Sequence, residues 1–280
     1  AYHRRQRQMC IRDSGSALGG GLETALCCHY RVSSKQGFIG LPEVNLGLLP
    51  GAGGTQRLPR LVGPAEALKI MLSGRHIPAV KALDMGVIDS LSEGDIVEDA
   101  VAFAKDVAEK NETHPLVRDL NEKVLAARGD ENIISEARAL AAKTRKGQFA
   151  PGKIIQCVEE AINLDDFDEG MKKEAEYFIE CLLNPQREAM IHIFFGERAA
   201  SKINDVPKET PKMDINKAGI IGSGTMGGGI AMCFANIGIP VHIVDQDEEN
   251  LKKGLAAIER NYKFMVDRGR MSAEQMEKTF

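Results

Sequence analysis

The sequence contains no tryptophan, and aromatic residues of all kinds make up only 5% of its 280 residues. So thin an aromatic content argues against a stacking platform for nucleic-acid bases. No apolar run reaches the length of about 18 residues expected of a spanning helix, so no membrane span is expected. The formal net charge of −4 gives no reason to expect nucleic acid or an anionic membrane as partner. The six cysteines, Cys10, Cys27, Cys28, Cys157, Cys181 and Cys233, form no C-x-x-C pair. That sets aside a zinc knuckle or disulfide framework and leaves buried thiols in a reducing compartment. His3, His29, His76, His114, His192 and His242 are scattered, none at i,i+4 around a helical glutamate, and no metal site is read. The first fourteen residues, AYHRRQRQMCIRDS, are basic, lack periodicity and have no apolar core of a secretory signal. They fit an anion-binding tail or, the preferred reading, a foreign or disordered segment, because organised sequence begins abruptly at Gly15.

The 280 residues and their 43% hydrophobic content suffice for a sizeable core and about two domains. Three glycines, Gly19 to Gly21, open a predicted helix over Leu22–Tyr30, with Leu22, Ala25, Leu26 and His29 on one face. Short strands are predicted near Arg31–Ser33 and Phe38–Gly40, and a Gly- and Pro-rich loop over Leu41–Pro59. Pro64 starts a helix that Gly74 ends, with Ala67, Leu68, Met71 and Leu72 inward. A short helix ends at Gly86, and Val87–Ile88 reads as a strand. Ile96–Lys110 reads as an amphipathic helix with Val97, Val101, Ala104 and Ala108 inward. Helical pattern then dominates from Leu116 to Lys202, broken at Asn184-Pro185. A Pro-containing charged linker spans Asp205–Lys212. Beyond it the pattern becomes β-α-β-α: strand Ala218–Ile221, helix Thr225–Ile237, strand Val241–Val244, and a helix from Glu248 to about Arg268. The chain therefore divides into 1–14, 15–184, a linking helix and linker at 185–212, and 213–280.

The second region opens with IIGSGTMGGGIA, which sets Gly222, Gly224 and Gly227 in G-x-G-x-x-G register. The pattern alone is weak, but here an apolar strand precedes it, a helix follows, and Asp245 ends the next strand. Gly222 permits the tight turn, Gly224 a close approach to pyrophosphate, and Gly227 close packing of helix on strand. The helix start, with Thr225 and Met226, offers unpaired N–H groups to the phosphates. A carboxylate at Asp245 suits two free ribose hydroxyls and repels a 2′-phosphate, so NAD is expected over NADP. FAD, or a glycine turn without ligand, are the competing readings.

In the first region GSALGGGLETAL is followed by LPEVNLGLLPGAGGTQRLPRLVG. Glu23 lies just inside the glycine-opened helix, and Glu43 follows Pro42. Two such carboxylates suit acid/base work around one water, and the Gly20 amide at the helix start suits an oxyanion. Read without context, they fit equally a helix N-terminal charge and a solvated loop residue.

The pieces ALGGGLE, LPEVNLGLLPGAGGTQRLPRL and GIIGSGTMGGGIA, in this order, resemble the bifunctional enoyl-CoA hydratase/3-hydroxyacyl-CoA dehydrogenases of fatty-acid β-oxidation. The likeness runs from Gly15 to Phe280. It implies an α/β chain: part of a crotonase-type spiral with trailing helices over 15–184, then the start of a Rossmann NAD-binding domain from 213. It implies that Glu23 orients and deprotonates water, that Glu43 gives the α-carbon its proton, and that the Gly20 amide polarises the thioester carbonyl. Gly51, Gly53 and Gly54 are then structural. Acyl-CoA thioesters are the implied substrates, NAD the cofactor, and a thiolase or a second copy of the chain the partner. A bacterial cytoplasm, or a peroxisome in a eukaryote, is the implied compartment. The resemblance also places the first half of the crotonase domain and the dehydrogenase's catalytic residues outside these 280 residues, so the chain alone is expected to be inactive. Two alternatives stay open: Δ3,Δ2-enoyl-CoA isomerisation in the same pocket, and a non-catalytic nucleotide-binding or assembly module.

Overall fold

A computed structural model describes residues 15–110, 114, 116–200, 202–203, 205–207, 209–211 and 213–280. The reading of residues 1–14 lies outside these, as does Cys10. The described residues up to Lys202 form one compact unit and Ile203–Phe280 a second.

In the first unit, β1 (Ser16–Leu18) runs into α1 (Gly20–Ala25), followed by β2 (Val32–Ser34) and β3 (Phe38–Gly40). β1 and β3 pair in parallel, with Ala17 opposite Ile39, and the short β4 (Ile77–Pro78) adds antiparallel to β3. β2 pairs in parallel with β5 (Ser90–Ser92). Parallel neighbours need a crossover, and α1 lies in the one between β1 and β3.

α1 is shorter than the predicted Leu22–Tyr30. Its last turn tightens, with Cys27 N–H on Thr24 O and Cys28 N–H on Ala25 O, both i→i−3 bonds. Arg31 then holds the exit: its guanidinium donates to Cys28 O at 2.8 Å and Val87 O at 2.5 Å. Leu22, Ala25 and Leu26 are buried as expected, but His29 is exposed. Val87 and Ile88 are buried without being strand; the strand forms three residues later as β5.

The predicted loop Leu41–Pro59 is largely helical. Pro42–Leu46 forms a 3-10 turn, closed by Gly47 at φ 70°. α2 (Gly54–Val62) follows, opened by Gly53 at φ 96°. The glycines and Pro59 read as loop because a proline removes an internal helical hydrogen bond. Burial decides otherwise: Thr55, Gln56, Leu58, Arg60 and Leu61 are all buried. α3 (Pro64–Ser73) has the expected proline start and ends on Gly74 at φ 61°, with Ala67, Leu68, Met71 and Leu72 buried.

α4 (Ala79–Asp84) precedes β5, and α5 (Ile96–Lys110) follows it. The inward face of α5 is displaced by one residue from expectation. Val97 and Val101 are 48% and 47% exposed, and Ala104 and Ala108 are exposed too, whereas Ala100 is buried and Ile96, Phe103 and Val107 are half-buried. Both sets satisfy the 3, 4, 7 spacing; the edge-on contact of Phe103 with Tyr30 at 5.6 Å belongs to the observed one.

The trailing helices are α6 (Glu122–Ala126), α7 (Glu131–Thr144), α8 (Ala150–Asn163), α9 (Phe167–Leu183) and α10 (Pro185–Ala200). α8 is the central one. Ile154, Ile155, Cys157, Val158 and Ile162 join the main core that includes Leu58, Leu68 and Met71. Each fully buried aliphatic there contributes about 1.5–3 kcal/mol of transfer free energy. Cys157 and Cys181 are buried thiols, whereas Cys27 and Cys28 are half-buried and Cys233 is exposed, so the reading of buried cysteines holds only for the first pair.

In the second unit β6 (Ala218–Ile221) and β7 (Val241–Val244) pair in parallel, Ile220 opposite Ile243. α11 (Thr225–Asn236) crosses between them, and α12 (Glu248–Asp267) and α13 (Ala273–Thr279) follow. Asp247 caps α12 by accepting from Asn250 N–H, and Ser272 with Gln275 forms a capping box on α13. Ala231, Ile258 and Tyr262 make its core.

Candidate active site

Three carboxylates, Glu23 and Glu174 buried and Glu43 half-buried, surround the turn that joins the 3-10 segment to α2. The first is Glu23, on the first turn of α1 and 3% exposed. It is not a solvated helix-start charge. Its Oε1 accepts from Ala52 N–H at 2.7 Å and from Gly54 N–H at 2.9 Å. Burial raises its pKa; the two amides and Arg57 oppose that rise.

The second is Glu43, in the first turn of the 3-10 segment that Pro42 starts. Its Oε1 lies against Gly19, where a Cβ would come within 2.8 Å. Its Oε2 is buried and has no hydrogen-bond partner among the described residues. Burial pushes the Glu43 carboxyl up to about 7; its own amide lowers it, and the charges of Glu23 and Glu174 raise it further. A carboxyl balanced near neutrality, with one unengaged oxygen, is suited to giving and taking a proton.

The third, Glu174, was not singled out from the sequence. It lies on α9, 0% exposed. It accepts from Gly53 N–H at 2.7 Å, from Thr55 N–H at 3.1 Å and from the Thr55 hydroxyl at 2.5 Å. Burial brings its pKa up to about 7 against these donors. Its only sequence signal is a charged residue at an inward position of an amphipathic helix, with Gly170 and Cys181 also buried on the same helix.

Gly20 is the first residue of α1, so its N–H lies outside the intrahelical ladder. Gly20 is exposed, and a Cβ there would meet nothing within 4 Å. Gly19, the residue before it, carries φ 56° and ψ −130°, a conformation reserved for glycine. Of the loop glycines, Gly51 lies against Phe178, Gly53 holds the left-handed turn, and Gly54 donates to Glu23.

In the second unit Gly222 adopts φ 94° and donates its N–H to Val244 O at 2.7 Å. At Gly227 a Cβ would lie 1.8 Å from Gly222 O, so only glycine lets α11 sit this close to the turn. Gly224 caps α11 in an extended conformation and faces open space. Thr225 and Met226, the first two residues of α11, are exposed beside it. Asp245 follows β7. Its Oδ2 accepts from the Ser223 N–H at 2.6 Å and from the Ser223 hydroxyl, and its Oδ1 from Gln246 N–H at 2.7 Å. These donors, the Ser223 hydroxyl first, hold the Asp245 carboxyl below the usual range. A carboxylate accepts about four hydrogen bonds, so Asp245 retains capacity for a ligand hydroxyl. Ser223 was not singled out from the sequence either. It is 3% exposed, and Gly254 of α12 packs on it.

The first unit thus has the glycine-opened helix and paired glutamates of a crotonase-type site, and the second has the glycine turn and terminal aspartate of a Rossmann unit. The chain belongs to the enoyl-CoA hydratase/isomerase family, whose model matches residues 13–153. Residues 217–280 match the NAD binding domain of 3-hydroxyacyl-CoA dehydrogenase. A peroxisomal bifunctional enzyme of Cavia porcellus is 39% identical over 85% of this chain and 33% of its own length. The fatty acid oxidation complex subunit alpha of a Shewanella species is 40% identical over 86% of this chain and 35% of its own. A solved enoyl-CoA hydratase/isomerase from Pseudoalteromonas atlantica is 26% identical, covers 65% of this chain and 59% of that chain, and has a TM-score of 0.43. The chain spans about a third of the length of the curated relatives it matches. No helix among the described residues is long and apolar enough to cross a membrane.

Proposed function

We propose that the protein carrying this chain hydrates trans-2-enoyl-CoA to 3-hydroxyacyl-CoA and oxidises that product with NAD to the 3-ketoacyl-CoA. The unpartnered, buried Oε2 of Glu43 beside the start of α1, with the Glu23 charge close enough to raise its pKa, carries the hydratase reading. In this reading Glu23 orients water and takes its proton while the oxygen bonds to C3. Glu43 delivers a proton to C2. The Gly20 amide donates to the thioester oxygen as enolate character develops, an interaction whose loss costs about 10²–10³ in rate. A buried Glu23 beside the buried, unengaged Oε2 of Glu43 favours this over a non-catalytic module, because a binding surface gains nothing from desolvating carboxylate oxygens.

In the second unit Gly222, Gly224, Gly227, Thr225 and Met226 would cradle the pyrophosphate, and Asp245 would accept from a ribose hydroxyl. Its lowered pKa keeps it charged, which favours NAD over NADP. When bound, NAD supplies the hydride acceptor. A thiolase or a second copy of the chain is the proposed partner, and the bacterial cytoplasm the proposed compartment, in line with the bacterial complex subunits among its relatives.

The test is the full-length protein with crotonyl-CoA and Glu43→Gln. Hydration should fall by at least about 10³; an unchanged rate would sink the hydratase reading. Supplying a 3-enoyl-CoA separates isomerisation, which moves the double bond with no uptake of water. By calorimetry, Asp245→Ala should weaken NAD binding at least tenfold; unchanged affinity counts against the nucleotide assignment.

A further inference from the structure

Four consecutive amides of the turn at the start of α2 are shared alternately by two carboxylates. Ala52 and Gly54 donate to Glu23, whereas Gly53 and Thr55 donate to Glu174. Glu23 arrives from α1 and Glu174 from α9, so the turn is gripped from two separate elements. The grip is tight on both sides. A Cβ at Gly54 would lie 2.9 Å from Glu23 Oε1, and Gly53 holds a left-handed φ of 96°. The four amides belong to the start of α2, where N–H groups have no partner in the helix and favour negative charge.

Hydrogen-bond polarity around Glu174 suits its ionised state. Gln56 Nε2 donates to Thr55 Oγ1 at 3.2 Å and to Cys157 O at 2.9 Å. The Thr55 hydroxyl accepts from Gln56, which leaves its own proton available to Glu174. With two amides also donating, Glu174 receives three hydrogen bonds and gives none, the pattern of an ionised carboxylate.

We infer that Glu174 is a positioning residue of the hydration site: its charge fixes the Ala52–Thr55 turn, and through that turn the place of Glu23. The inference rests on the hydratase reading above. Glu174 touches no reacting atom in this account. It works through the amides it holds, and it lies beyond the segment matched by the hydratase family model, on a helix that the first-region motifs do not include.

Glu174→Gln in the full-length protein is the test, read by crotonyl-CoA hydration across pH. Glutamine keeps the shape but removes the charge and turns one acceptor into a donor facing an amide. The expected result is a fall in kcat of about 10–100-fold with KM changed less than about threefold, because an interaction that orients the water is lost without loss of substrate binding. The limb of the kcat/KM profile that belongs to Glu43 should also move to lower pH, since a like charge has been taken away. A drop in thermal stability with kcat and the limb unchanged means Glu174 is merely structural and overturns the inference. Glu174→Asp keeps the charge but withdraws it by one methylene. It should keep the limb in place while lowering kcat at least about threefold; wild-type kcat in this variant overturns positioning even when the glutamine variant fails to fold. The two proposals fail separately. If Glu43→Gln leaves hydration intact, the site reading is lost; if Glu43→Gln abolishes hydration and both Glu174 variants behave as wild type, only this inference is lost.

Discussion

Glu43 sets its carboxylate oxygen against Gly19, the residue that caps α1: a Cβ there would stand 2.8 Å from Glu43 Oε1. Gly19 also holds φ 56° and ψ −130° and donates its N–H to Gly40 O at 2.9 Å. The glycine that opens the helix is thus a clearance for the acid as well as a turn.

Gly19→Ala should therefore cost twice. Backbone strain destabilises the fold by about 1–3 kcal/mol, seen as a lower urea midpoint. The added methyl displaces Glu43, and crotonyl-CoA hydration by the full-length protein should drop at least tenfold, an effect of misplacement by a fraction of an ångström. Wild-type turnover in this variant would show that the clearance is irrelevant.

Stability should decline as pH rises from 5 to 8. The Glu43 carboxyl, with one oxygen unengaged, has its folded pKa raised to about 7 by burial. Between the usual carboxylate range and 7 the unfolded chain has released protons that the folded chain still holds. Stability therefore falls with pH through this window and levels off above it. This group contributes on the order of 1–3 kcal/mol. Denaturant titrations at pH 5 and pH 8 check this, and Glu43→Gln should flatten the slope; a rise in stability toward pH 8 contradicts it.

The ion pair between the buried Arg31 and the partly exposed Asp89, at 3.1 Å, should be costly to break. Burial moves both groups toward neutrality, lowering the Arg31 pKa and raising that of Asp89, and outweighs their mutual attraction. Desolvation thus consumes most of the Coulombic gain. Asp89→Ala leaves the guanidinium uncompensated and also frees the Arg31 N–H, bonded at 2.7 Å. A loss of about 1–3 kcal/mol is expected, measured by equilibrium unfolding.

Two glycines of the second unit make a matched pair. At Gly227 a Cβ would lie 1.8 Å from Gly222 O, whereas at Gly229, two residues on in α11, it meets nothing within 4 Å. Gly227→Ala should push α11 off the turn and abolish measurable NAD binding. Gly229→Ala should leave affinity intact and stabilise the helix by up to about 1 kcal/mol. Calorimetry with both variants decides; equal affinities would mean that helix and turn do not need this contact.

Ser223 offers a subtler probe. It donates both its N–H and its hydroxyl to Asp245 Oδ2 and packs under Gly254. Ser223→Ala removes the hydroxyl donor alone. NAD affinity should fall by about 3–10-fold, the scale of one hydrogen bond to a charged group, and less than in Asp245→Ala. An equal or larger loss than in Asp245→Ala would mean that Ser223 acts on the ligand directly.

What the sequence determined by itself is the part encoded in local chemistry. Gly222, Gly227 and Asp245 were legible because a tight turn, a close helix and a strand-end carboxylate each demand one residue type at a fixed spacing. The proline start and glycine stop of α3 were legible for the same reason. Only tertiary structure decided the rest. The stripe of α5 slipped by one residue because two spacings satisfy the same period and only the contact of Phe103 with Tyr30 distinguishes them. α2 was missed because its glycines and Pro59 carry low helix propensity, which burial of Leu58 and Leu61 overrides. Glu174 was invisible because its partners, Gly53 and Thr55, lie about 120 residues earlier in the chain. Spacing along one element says nothing about which buried amides a distant helix will be called on to satisfy.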